Sequence, residues 1–157
     1  MIIISIDPGY ERLGVAVLEK DPKGKHTLLH SECFKTSPKL PHHGRLLLIG
    51  EKVIEVIKKF EPKQLAIETL FFSTNQKTVM AVAEARGTIL FAASLLGLTV
   101  HEYTPLQVKI AVTGYGRSEK NQVVAMVKRL IVVPEKKSSD DEFDAIAIGL
   151  THFATIR

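Results

Sequence analysis

The chain has 157 residues, 45% of them hydrophobic and 24% charged, with one cysteine, Cys33, and a formal charge of +4. That length and apolar content suit one compact α/β domain over 1–157, with a core large enough to fold without a disulfide. A single cysteine excludes an intramolecular disulfide framework and fits a reducing compartment, so Cys33 is expected as a small core residue and the chain as cytoplasmic. The mild basic excess permits a polyanionic partner without requiring one.

The opening Ile2 to Asp7 is β-branched and apolar, and it has neither the basic start nor the cleavage site of a secretory leader. Arg12 to Glu19 and Thr27 to Lys35 read as two further extended runs, with Asp21-Pro22-Lys23-Gly24 as the turn between them. The three predict an antiparallel meander. Leu46, Ile49, Val53, Val56, Ile57 and Phe60 recur at helical spacing over Gly44 to Phe60, and Pro62 ends that helix. Gln64 to Glu68 is a short apolar strand, and Leu98 to Tyr103 is another. A helix from about Gln76 to Leu96 between them makes a β-α-β crossover.

The uncharged stretch from Thr88 to Val100 falls short of the roughly 20 residues that span a bilayer, so it is expected to be a buried helix and no membrane partner is expected. Two helices, Pro105 to Val112 and Glu119 to Val132, flank the loop Thr113-Gly114-Tyr115-Gly116. A last helix spans Ser139 to Ile156, with Ser138 or Ser139 as N-cap. The order predicts a mixed five-stranded sheet flanked by helices on both faces.

Functional groups in such sheets collect at the carboxyl ends of strands, where Asp7 and Glu68 stand. If those two strands are parallel neighbours, roughly 4.8 Å apart, the carboxylates are close enough to share a cation. Asp141 and Asp144, three apart at the start of the last helix, project from one face. They equally suit the positive end of the helix dipole, and Asp7-Pro8-Gly9 equally suits an ordinary turn. Four convergent acids would repel one another unless divalent cations neutralise them, and hard oxygen donors point to magnesium or manganese and to phosphodiester hydrolysis. From Lys109 to Lys137, seven basic residues stand against two acids, a surface suited to phosphates or simply to solvent.

Five blocks carry a family resemblance: Ile6-Asp7-Pro8-Gly9 with Gly14-Val15-Ala16-Val17, Ala66-Ile67-Glu68-Thr69-Leu70-Phe71, Ala85-Arg86-Gly87, Ser118-Glu119-Lys120, and Asp141 to Ile148 with Thr151-His152. In order and spacing they resemble the RuvC family of bacterial Holliday junction resolvases, almost end to end. The resemblance implies a ribonuclease-H-like fold and a homodimer that makes paired nicks in four-way junction DNA during recombination and repair. It also implies two metal ions per site, Mg2+ or alternatively Mn2+, held by the catalytic acids Asp7, Glu68, Asp141 and Asp144. A branch-migration helicase complex of the RuvA and RuvB type is the implied partner.

Phe71 matches an aromatic that stacks on an unpaired base, with core packing as its other reading; Lys109 and Lys120 match basic positions near DNA, with a solvated helix face as theirs. His152 matches the family's Thr-His and lies roughly on the Asp144 face. The alanines Ala81, Ala83, Ala85, Ala92 and Ala93 mark a candidate dimer helix, or one packed in the core. Ending at Arg157 suggests a shorter basic tail than many relatives have. Two rival readings remain: another ribonuclease-H-like nuclease, YqgF-like, acting on RNA or simple ends, and a junction-binding protein without catalysis.

Overall fold

The computed structural model describes residues 1–70, 76–134 and 139–156. Five strands, β1 (Ile2–Asp7), β2 (Arg12–Lys20), β3 (His26–Lys35), β4 (Gln64–Glu68) and β5 (Thr99–Tyr103), form one sheet in the order β3-β2-β1-β4-β5. β1, β2 and β3 pair antiparallel, whereas β4 pairs parallel to both β1 and β5. The meander and the crossover therefore form as the residue patterns predict, with strand ends within a residue or so.

Strand alternation divides the core into two layers. Ile4 and Ile6 of β1, Val15 and Val17 of β2, and Leu65 and Ile67 of β4 meet α1 (His42–Phe60) and α2 (Gln76–Leu95). Ile3, Ala16, Leu18, Ala66 and Tyr103 face α3 (Pro105–Thr113), α4 (Lys120–Leu130) and α5 (Asp140–Thr155). Ser5 is a polar residue on that second face, fully buried, and its hydroxyl donates to the Ala145 carbonyl at 2.7 Å. A buried hydroxyl without a partner is costly, so this bond pins β1 to α5.

The helix ends follow local chemistry. Ser139 caps α5 in a reciprocal box with Glu142, Thr104 does the same for α3 with Gln107, and Gly114 closes α3 at φ 77, where a side chain is disfavoured.

Two expectations are corrected. Thr88 to Val100 is not a buried helix: α2 stops at Leu95, Thr99 and Val100 belong to β5, and among the described residues of α2 the buried side is that of Ala85, Ile89, Ala92 and Ala93. Met80, Phe91 and Leu95 are each about two-thirds exposed. By length and composition alone, Thr78–Leu95 is apolar enough to cross a membrane, because a core-facing stripe and an exposed apolar stripe add together on one helix. Cys33 is half-buried rather than a core residue, and its thiol lies 3.5 Å from Asp141 Oδ2.

Candidate active site

Parallel pairing of β1 with β4 places Ile6 beside Ile67, so the next residues, Asp7 and Glu68, emerge side by side at the carboxyl edge of the sheet. On β2, Asp7 is opposite Gly14, and Gly14 gives α5 room to approach: a Cβ there would stand 2.1 Å from the Asp141 carbonyl oxygen. The first turn of α5 thereby reaches the strand ends. Asp7, Glu68 and Asp144 line one cleft, with Lys109 from α3 and Lys120 from α4 on its wall.

The electrostatics are those of crowded, partly dehydrated carboxylates. Burial foremost, then the charges of Glu68, Asp144 and Asp141, pushes Asp7 up to about 8 against a partial pull from Lys120. Burial, and then Asp144, pushes Glu68 up to about 7. Asp144 is also raised by burial, opposed by its 2.9 Å ion pair with the Lys120 ammonium. Burial lowers Lys120, yet the bond and charge of Asp144, with Asp140 and Asp141, leave its ammonium held above the ordinary lysine value.

Asp141 has turned elsewhere. Its Oδ2 accepts from Arg12 Nη2 at 2.6 Å, from Arg12 Nε at 2.8 Å and from the Cys33 thiol. It acts on Asp7 and Asp144 through its charge but does not line their cleft.

A divalent cation suits this donor set. All four candidates are carboxylates, the hard oxygen ligands that magnesium and manganese take, and a cation would offset the burial and mutual repulsion that raise Asp7. Among the described residues no three His, Cys, Asp or Glu side chains already close into a cage.

The remaining sequence candidates divide. Phe71 lies outside the described residues. His152 is at the other end of the sheet, fully buried, with Nε2 on Gln64 Oε1 at 2.6 Å and Nδ1 on the Tyr103 hydroxyl at 2.8 Å. It belongs to the core and takes no part in the cleft. Two arginines escaped the sequence reading as site residues. One is Arg12; the other is Arg86, whose Nε donates to the Glu68 carbonyl at 3.2 Å while its guanidinium pairs with Glu102. Arg86 lies within the quoted Ala-Arg-Gly block, but nothing in the sequence distinguishes Arg12 from other exposed charges.

Comparison with known proteins identifies the family. Residues 3–152 match the family model described as crossover junction endodeoxyribonuclease RuvC. The protein of that name from Halothermothrix orenii is 43% identical over 152 residues, covering 97% of this chain and 92% of the relative. Its counterpart from Desulforamulus reducens is also 43% identical, covering 97% and 93%. Among solved structures, T. thermophilus RuvC in complex with a Holliday junction substrate superposes with a TM-score of 0.90 at 38% identity, covering 97% of this chain and 92% of that one. Sequence match over nearly the whole length and backbone agreement at that level mean that this chain belongs to the RuvC family of crossover junction endodeoxyribonucleases, with its ribonuclease-H-like fold.

Proposed function

We propose that the protein resolves four-way DNA junctions by paired hydrolysis of phosphodiester bonds, one in each subunit of a homodimer. The observation that carries this is the convergence of Asp7, Glu68 and Asp144 on one cleft walled by Lys109 and Lys120. The family is one of metal-dependent nucleases. In this reading Asp7, Glu68, Asp141 and Asp144 hold two divalent cations, magnesium or alternatively manganese, whose chemistry is to activate a water and to stabilise the departing oxygen. Lys109 and Lys120 bind the phosphate backbone, and Lys120, released from Asp144 when cations take that carboxylate, steadies charge on the transferring phosphate. Phe71 stacks on an unpaired base near the junction centre.

The exposed α2 stripe supports a homodimer, since a closed two-fold assembly offers one site to each half of a junction. A branch-migration helicase complex of the RuvA and RuvB type is the expected partner, and 1–157 acts as one nuclease domain in the cytoplasm. A YqgF-like nuclease and a junction binder without catalysis are not favoured, given the RuvC match over 3–152.

The test is cleavage of labelled four-way and linear DNA with and without magnesium. Symmetric nicks confined to the four-way substrate and dependent on the cation are expected. Asp7→Asn, Glu68→Gln, Asp141→Asn and Asp144→Asn each abolish cutting while junction binding survives. Near-normal turnover by one of these variants removes that residue from the site, and equal cutting of linear DNA overturns the reading.

A further inference from the structure

Asp141 is the candidate ligand that lies outside the cleft, and the charged group holding it there, beside the Cys33 thiol, is Arg12. Nη2 and Nε of Arg12 both meet the single oxygen Oδ2, at 2.6 and 2.8 Å. The arginine side chain is half exposed, so it has room to leave, whereas its backbone does not: Arg12 opens β2 in pairing with Lys35, and its carbonyl packs under Gly9 so closely that a Cβ there would stand 1.8 Å away. Only the guanidinium can move. Beside it, Gly9, Tyr10, Thr78 and Val82 line a hollow between the β1–β2 turn and α2.

We propose that Arg12 is an exchange residue: it neutralises Asp141 while divalent cations are absent, and transfers to a DNA backbone phosphate when a cation takes that carboxylate. This rests on the reading of the cleft given above.

An ion pair between partly exposed partners is weak, so a divalent charge drawn by four carboxylates displaces it. A guanidinium stays protonated at any working pH and must then find another anion. With a junction bound, the anions at hand are phosphodiesters, which arginine binds through paired N–H donors. Lys120 makes the parallel contact with Asp144, so each candidate ligand on α5 carries its own protein cation. Arg12 differs in being paired outside the cleft, beside the hollow on the α2 side.

The experiment uses full-length wild type, Arg12→Ala and Arg12→Lys in two binding measurements. The first titrates labelled four-way DNA across a potassium chloride series, in EDTA and in calcium. Arg12→Ala should reduce the salt slope by about one unit in calcium and leave it unchanged in EDTA, and Arg12→Lys should restore it, because each phosphate contact contributes roughly 0.9 to that slope. The second measures manganese binding without DNA by electron paramagnetic resonance, where Arg12→Ala should tighten affinity severalfold by removing a competitor. Equal slope changes in both media, or in neither, would overturn the exchange. Unchanged or weakened manganese affinity would overturn it too, making Arg12 a support for Asp141 rather than a rival of the cation. Failure of the wild type to bind manganese or junction would instead bring down the reading of the cleft.

Discussion

The Asp141 carbonyl lies against Gly14, where a Cβ would stand 2.1 Å from that oxygen and 3.2 Å from the Asp7 Cβ. This approach lets one helix and one strand end present carboxylates to the same cleft. Gly14→Ala must push α5 outward, with overpacking costs on the order of 1 to 3 kcal/mol. Turnover should fall further than the lost stability explains, because Asp144 moves away from Asp7. Junction cleavage and chemical denaturation measure the two effects, and normal turnover would show that the helix can settle elsewhere without harm to the site.

Asp7 gives the metal-free protein a particular pH response. Its carboxyl has an ordinary value of 3.8 and is pushed up to about 8 in the fold, so between these values the folded state binds the extra proton. Stability from this group is therefore present in acid and lost as pH rises from about 4 towards 8, and Glu68 acts in the same direction between 4.5 and about 7. In EDTA the melting temperature should fall between pH 5 and pH 8. Asp7→Asn should flatten the fall, and magnesium should reverse it. A profile without that decline would mean the acids are better solvated than their burial implies.

His152 acts in the opposite sense. Burial, and then neighbouring His101, lowers it from 6.5 to about 4, so the unfolded chain takes up a proton first and stability is lost as pH drops through that window. His152→Gln should lessen this acid loss while costing about 1 to 3 kcal/mol at neutral pH, since the bonds to Gln64 and Tyr103 are buried. Cleavage per folded molecule should stay unchanged. A specific loss of turnover in this variant would return His152 to the site.

The exposed face of α2 predicts the assembly. Met80, Ala83, Gly87, Phe91 and Leu95 follow one another at spacings of three or four and lie on one stripe, all exposed. Two small residues within an apolar stripe allow close helix approach. The wild type should sediment near twice 17.4 kDa, and Phe91→Glu should give a folded monomer that cuts junctions poorly. A monomeric wild type at micromolar concentration would remove this surface as the interface.

The local grammar of the chain was legible before any coordinates. β-branched runs marked the strands, three-to-four spacing marked the helices, Ser138 or Ser139 stood where a cap forms, and Asp7 and Glu68 ended their strands. Spacing and motif order grouped the four acids as one candidate site. Three matters were decided only by tertiary structure. The spacing of Asp141 and Asp144 assigns both to one helix face but not the rotamer of either, so a contact across 129 residues turned Asp141 to Arg12 and left Asp144 in the cleft. His152 follows Asp144 by eight residues, roughly the same face but about 12 Å further along the axis, which takes it to the opposite end of the sheet. The apolar length of α2 does not reveal which side is covered; that depends on α1 and β5 packing against one stripe and leaving Met80, Phe91 and Leu95 bare. Periodicity along a chain records which residues share a face, whereas the partner a face meets is set by segments far away in sequence.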